Sequence, residues 1–310
     1  MANVRGKEID NTHLSIEQAE ARGFIHRDYI AHCLRWTHVA KYLHLQARYK
    51  TARIIDIGCG KDMPLARMLY TSRLAPEHYV GIEYNKMEIP DMFKNSNFKP
   101  KLVSGIDFTQ MEMLPPEAMY DFGEHQINGI STRPSGHNYS VCFEVLEHVE
   151  PIKAIAILDH LPGFLSSDSI SWFSTPCWDE KVGAAANHVN EMTYEAFGSL
   201  LEEMGYKILM HWGTFASIKD YKDELPRYEL KEAFDRLREY YDSNYLATVF
   251  APLFPHKARN VLWETQYVGK LKIEERKFKP INKLEGRLGS SDKWRDLVKC
   301  LDCARNYVRT

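Results

Sequence analysis

RIIDIGCGKDMPLARML, residues 53–69, decides the fold. Its first six residues are a short β-branched run ending in glycine, the mark of a buried strand that stops at a turn. Pro64, Leu65, Met68 and Leu69 then recur at helical spacing, with proline at the helix start, where a missing N–H is tolerated. Between strand and helix, Gly58 and Gly60 allow a tight turn and close approach of a ligand to the backbone, and the helix behind them offers unpaired N–H groups. A dinucleotide-binding turn would read GxGxxG, but the last of those positions is Met63, and Asp56 and Asp62 on either side would repel a pyrophosphate. The same acids suit a ligand with positive charge, an ammonium or a sulfonium.

Working outward, further strands are expected at YVGIEY (79–84), KLVSGI (101–106), YSVCFEV (139–145), SISWFSTP (169–176), KILMHWGTFA (207–216) and NVLWETQYV (260–268). Helices are expected at about 151–165 and after Thr193, which caps the pattern Phe197, Leu200, Leu201, Met204 ending at Gly205. Upstream, Tyr29, Cys33, Trp36, Ala40 and Leu43 mark an amphipathic helix. Strands alternating with helices predict an α/β fold, a doubly wound, mostly parallel sheet covered on both faces, whose ligands sit beyond the carboxyl ends of the strands.

Those ends carry acids. Glu83 closes the second strand, where a carboxylate accepts hydrogen bonds from both hydroxyls of a ribose, and Asp107-Phe108 follow the third, an acceptor for an exocyclic amine beside a ring. Each acid alone reads equally well as a helix cap or a solvated loop residue. Three at consecutive strand ends point to a nucleoside-type ligand.

The pieces IIDIGCG, YVGIEYN, GIDFTQ and CFEVLEHV resemble the class I S-adenosylmethionine-dependent methyltransferases over about residues 50–215. The resemblance implies a Rossmann-like seven-stranded sheet with an antiparallel last strand and S-adenosylmethionine bound across the ends of the first strands. It implies that Asp56, Gly58 and Gly60 hold the methionine moiety, Glu83 the ribose, and Asp107 with Phe108 the adenine, with the backbone of Cys59 and Tyr84 also at the cofactor site. The chain departs from the family's frequent third glycine at Asp62.

The fourth strand runs into Glu144-Val145-Leu146-Glu147-His148. If a helical turn begins there, Glu144, Glu147 and His148 share one face and can hold a divalent ion, with His188 of NHVNEMT as a fourth ligand. The run is similar to the ExxEH element of ubiquinone-pathway O-methyltransferases and small-RNA 3′-terminal 2′-O-methyltransferases, in which a metal binds the acceptor hydroxyls. Many superfamily members have a similar LEH run and no metal; there the Glu144 position shapes the cofactor pocket, and His148 or His188 would serve as general base. Methyl transfer from a sulfonium is an in-line displacement, so no protein nucleophile is required.

The chain thus divides into an N-terminal helical segment (1–49) placed as a lid, a methyltransferase domain (50–268) with a helical insertion at about 217–259, and a basic extension (269–310). Residues 257–310 hold 14 Lys and Arg against 7 Asp and Glu, although the net charge of all 310 residues is only −2. Acceptor choice is expected from the N-terminal helix with His26, Asp28, Tyr29, His32, Arg35 and Trp36, from His125, Arg133 and His137 in the loop at 121–138, and from the insertion, with Tyr221, Arg227, Tyr228, Tyr240, Tyr241 and Tyr245. The acidic body favours a small hydroxylated acceptor; the basic end and the ExxEH run favour RNA or DNA. A catalytically silent binding subunit on the same fold is the rival of another class.

Composition excludes the remaining classes. With 44% hydrophobic and 26% charged residues the chain is neither fibrous nor disordered. The start MANVRGKEIDNTHLSIEQ lacks the apolar core of a signal peptide, no membrane association is expected, and six scattered cysteines suit free thiols in the cytoplasm. Cys300 and Cys303 form a CxxC without the second pair a zinc site needs.

Overall fold

The computed structural model describes residues 27–118, 126–127, 130–131, 136–178, 184–185, 187–215, 232, 235–236 and 251–278. His26, His125, Arg133, the six insertion residues named above, Cys300, Cys303 and most of the basic extension lie outside these residues, as do the side chains of Asp28 and Tyr29.

Seven strands form one sheet: β1 (Arg53–Ile57), β2 (His78–Glu83), β3 (Lys101–Ser104), β4 (His137–Phe143), β5 (Leu165–Pro176), β6 (Tyr206–Phe215) and β7 (Asn260–Tyr267), in the order β3-β2-β1-β4-β5-β7-β6. The first five pair in parallel, and β7 lies antiparallel between β5 and β6. Gln126–Ile127 and Ile130–Ser131 form a separate two-residue ladder. The expected α/β architecture, with its antiparallel last strand, is therefore present. Among the described residues no helix is long and apolar enough to cross a membrane.

Alternation along each strand divides the core in two. Ile54, Tyr79, Tyr139 and Trp172 face α1 (Arg27–Leu45) and α2 (Pro64–Thr71), packing with Trp36, Val39, Leu43, Leu65 and Leu69. Ile55, Ile57, Val80 and Phe173 face the other layer, packing with Ile155 and Leu158 of α3 (Pro151–His160) and Phe197 and Leu201 of α4 (Tyr194–Glu203). Every residue of β2 is buried, as a strand covered on both faces must be.

The local grammar explains the element ends. Thr193 caps α4 by accepting from the Ala196 N–H at 3.1 Å. The helix expected to run to 165 ends at His160, and residues 161–164 form a 3₁₀ turn. Pro162 has no N–H to offer the Leu158 carbonyl, which instead accepts from the Tyr206 hydroxyl at 2.8 Å.

Candidate active site

The turn after β1 is shaped by two glycines in the left-handed region, at φ +70 for Gly58 and +69 for Gly60. A Cβ on Gly58 would lie 2.3 Å from Val145 Cγ2, so only glycine lets this turn nest under the end of β4. Met63, where a dinucleotide turn has its third glycine, also takes a left-handed conformation, φ 47, at a cost of about 1–2 kcal/mol. The Gly58 and Cys59 N–H groups donate to the Ile82 carbonyl at 2.8 and 3.2 Å. Glu83 Oε2 accepts from the Gly60 N–H at 3.2 Å, and Oε1 accepts from the Asn85 N–H at 3.1 Å.

This turn walls a cleft of about 80 Å³ whose lining includes Asp56, Gly58, Cys59, Gly60, Asp62, Phe143 and Glu144, with His32 and Trp36 from α1. A second, wider cleft of about 430 Å³ shares Lys61 and Asp62 with it and continues past Glu83 and Asn85. Asp56 is 4% exposed and accepts from the Tyr79 hydroxyl. Burial pushes its pKa up to about 7, against the pull of the Tyr79 bond and with a further push from the Glu83 charge.

Tyr84, 68% exposed, is open to a ligand. Phe108 is not placed as expected: its ring is 5% exposed and packs against His160 and Phe164, because the residues after Asp107 wind into a 3₁₀ turn that drives it into the core. Asp107 caps that turn, accepting from the Thr109 N–H at 3.0 Å, and pairs with Lys153 at 2.7 Å. Burial works against its charge, but the bonds from Lys153 and Thr109 hold its pKa below the usual carboxylate range.

Beyond β4 the expectation of one shared helical face fails at Glu144. This residue has φ +54, so the helical turn begins only at Leu146 and spans Leu146–His148. Its carboxylate turns away to accept from Ser174 Oγ at 2.8 Å and from Asn260 Nδ2 at 2.9 Å on both oxygens, with Arg35 Nη1 at 3.6 Å. Arg35 in turn donates to Asn260 Oδ1 at 3.0 Å, which also accepts from Thr214 Oγ1 at 2.9 Å. Although burial opposes ionisation, Arg35, His32 and the hydrogen bonds from Asn260 and Ser174 lower the Glu144 pKa.

Glu147, His148 and His188 do come together, one ligand atom from each lying within 4.8 Å of the others. Glu147 is 1% exposed and, among the described residues, neither carboxylate oxygen has a hydrogen-bond partner. Burial first, and the nearby Glu144 charge second, push its pKa well above the ordinary carboxylate value. The His148 and His188 rings meet edge-on at 4.7 Å between centroids. His148 Nδ1 contacts the Asn187 carbonyl at 3.2 Å, and His188 Nδ1 contacts Glu191, which leaves Nε2 of each ring as the nitrogen to face the cluster. His148 Nε2 is 3.8 Å from Glu147 Oε1.

A buried carboxylate with no partner and two imidazoles with their Nδ1 atoms engaged fit a divalent cation. Glu144, expected as one of four ligands, belongs instead to the Arg35 network.

Tyr79, Asn260, Asn187, Asn190 and Glu191 went unread in the sequence. Only the last three had a signal, the polar run just before α4. His137 lies at the opposite end of β4, buried and contacting the Phe164 carbonyl.

No protein-family model and no curated protein matches the sequence. Among solved structures, the chain is similar to magnesium protoporphyrin IX methyltransferase from Synechocystis with bound SAH, at 12% identity over 77% of this chain and 85% of that one, TM-score 0.44. It is similar to 1,6-didemethyltoxoflavin-N1-methyltransferase from Burkholderia thailandensis at 11% identity over 75% and 78%, TM-score 0.44. It is similar to the methyltransferase domain of bacterial CtHen1 at 15% identity over 76% and 99%, TM-score 0.43. At these identities the likeness is one of fold alone.

Proposed function

We propose that the protein is an S-adenosylmethionine-dependent methyltransferase that methylates a hydroxyl oxygen, with Glu147, His148 and His188 holding a divalent cation beside the donor cleft. The observation that carries this reading is the buried Glu147 carboxylate, which has no hydrogen-bond partner among the described residues and is faced by two imidazoles one strand end from the glycine turn. A bare carboxylate in such a place is destabilising unless a ligand completes it.

On the donor side, the Asp56 carboxylate lines the smaller cleft and receives the ammonium of the methionine moiety. Glu83 exchanges its contacts with Gly60 and Asn85 for the ribose hydroxyls, and exposed Tyr84 flanks the adenine on the side where Asp107 is held by Lys153. The chain's contribution is alignment of sulfonium, methyl carbon and acceptor oxygen in a line. A bound cation would supply Lewis acidity, lowering the pKa of the acceptor hydroxyl and orienting it. Without a cation, the Nε2 atom of His148 or His188 is the site that would take the hydroxyl proton.

Calorimetry with S-adenosylhomocysteine, followed by radiolabelled methyl transfer to a catechol and to RNA with a free 3′-terminal ribose, tests the reading. Binding and transfer that stops in chelator and returns with Mn²⁺ are expected. No heat and no thermal stabilisation at saturating S-adenosylhomocysteine would overturn the enzyme reading, and transfer that survives chelator would move the proton to the histidines. Rates on RNA that fall steeply with salt identify a phosphate-backbone acceptor, because such contacts release counterions.

A further inference from the structure

The segment Asn187–Glu191 clasps the turn that carries Glu147. The Val189 and Asn190 N–H groups both donate to the Glu147 carbonyl, at 2.9 and 3.1 Å. Asn190 Nδ2 donates to the Leu146 carbonyl at 3.1 Å, and the Asn187 carbonyl faces His148 Nδ1. Every residue of this run therefore has a contact within the cluster, and its last member, Glu191, touches His188 itself.

Glu191 is 5% exposed, and one of its oxygens, Oε1, both accepts from the Ala185 N–H at 3.1 Å and meets His188 Nδ1. Packing alone gives no reason to bury another carboxylate beside an unpartnered one. A carboxylate seated on Nδ1 of an imidazole, however, fixes the tautomer, turns Nε2 outward and makes it a better donor to a metal.

We propose that Glu191 is a positioning residue for the cation centre, acting through His188 and not touching the cation. This inference rests on the cation reading of the preceding subsection. It also extends the functional unit from three ligands to the whole Asn187–Glu191 clasp.

The test is Mn²⁺ titration of the full chain by calorimetry, in wild type, Glu191→Ala, Glu191→Gln and Glu191→Asp, with S-adenosylhomocysteine affinity and metal-free melting temperature measured alongside. Glu191→Ala is expected to weaken Mn²⁺ binding roughly 10- to 100-fold. Glu191→Gln, which keeps an acceptor for Nδ1 but loses the charge, falls between, and Glu191→Asp restores most of the affinity. S-adenosylhomocysteine affinity stays unchanged in all three, which a merely disordered loop beside the cleft would not give. If wild type binds Mn²⁺ and Glu191→Ala and Glu191→Gln bind it equally tightly, the positioning role is wrong while the centre stands. If wild type binds neither Mn²⁺ nor Zn²⁺, the centre itself is absent and this inference goes with it.

Discussion

Glu144 and Glu147 stand three residues apart just past the end of the same strand, the first with its side chain 20% exposed and the second buried, and the protein treats them oppositely. Glu144 is saturated: a serine hydroxyl, an asparagine amide that donates to both carboxylate oxygens, and a buried guanidinium hold it ionised. Glu147 is left bare, and its environment drives it toward the neutral acid. Two identical side chains with such different surroundings have different tasks. A completed network positions a backbone turn, and an incomplete one is reserved for something the chain does not itself supply.

The hardest test of this contrast is to remove the completing charge. Arg35→Met should destabilise the fold by about 1–3 kcal/mol, since it leaves a half-buried, ionised carboxylate without its cation. Urea unfolding measures it, and a loss below about 1 kcal/mol would mean that Asn260 and Ser174 satisfy Glu144 unaided. Glu147→Leu should act in the other direction. Replacing a buried, unpartnered acid with an apolar side chain should stabilise the metal-free protein by about 1–3 kcal/mol while abolishing Mn²⁺ binding. Destabilisation instead would show that Glu147 already has a partner that matters to the fold.

Asp56 is an intermediate case, a buried carboxylate with one bond, from Tyr79. Its pKa of about 7 makes donor binding pH-dependent, because the ammonium prefers the ionised form. Above pH 7 Asp56 is ionised and affinity is full. Below it, a proton must leave before the ligand can pair, and S-adenosylhomocysteine affinity should fall by roughly tenfold per pH unit, about 1.4 kcal/mol. Titrations from pH 5.5 to 8.5 should show this slope in wild type and a low, flat profile in Asp56→Asn. A flat wild-type profile would place the ammonium elsewhere.

The contrast also marks how far sequence could be read. The sheet was legible because β-branched runs ending in glycine, alternating with helical spacing, leave few other folds. That Asp56, Glu83 and Asp107 fall at strand ends was legible because the strand pattern itself places them there, although Asp107 caps a 3₁₀ turn. Glu144 was misassigned because i, i+3, i+4 counting presumes helical dihedrals, and its φ of +54 breaks that register. Its partner Asn260 lies 116 residues away and sits in an ordinary strand pattern. Phe108 reads as a ring at a strand end, yet which way it turns depends on the 3₁₀ winding set by the Asp107 cap. The Asn187–Glu191 clasp acts largely through backbone groups, which no side-chain pattern reveals.

The reversed strand β7 has a consequence for dissecting the protein. Parallel strands bring their last residues to the working rim, whereas β7 brings its first, Asn260, to the same rim. The shortest working fragment therefore cannot stop at the end of β6, even though the glycine turn, Asp56, Glu83, Glu147, His148 and His188 all precede that point. Truncated before Asn260, the chain would keep every proposed ligand but lose both the strand that joins β6 to β5 and the amide that holds Glu144 aside.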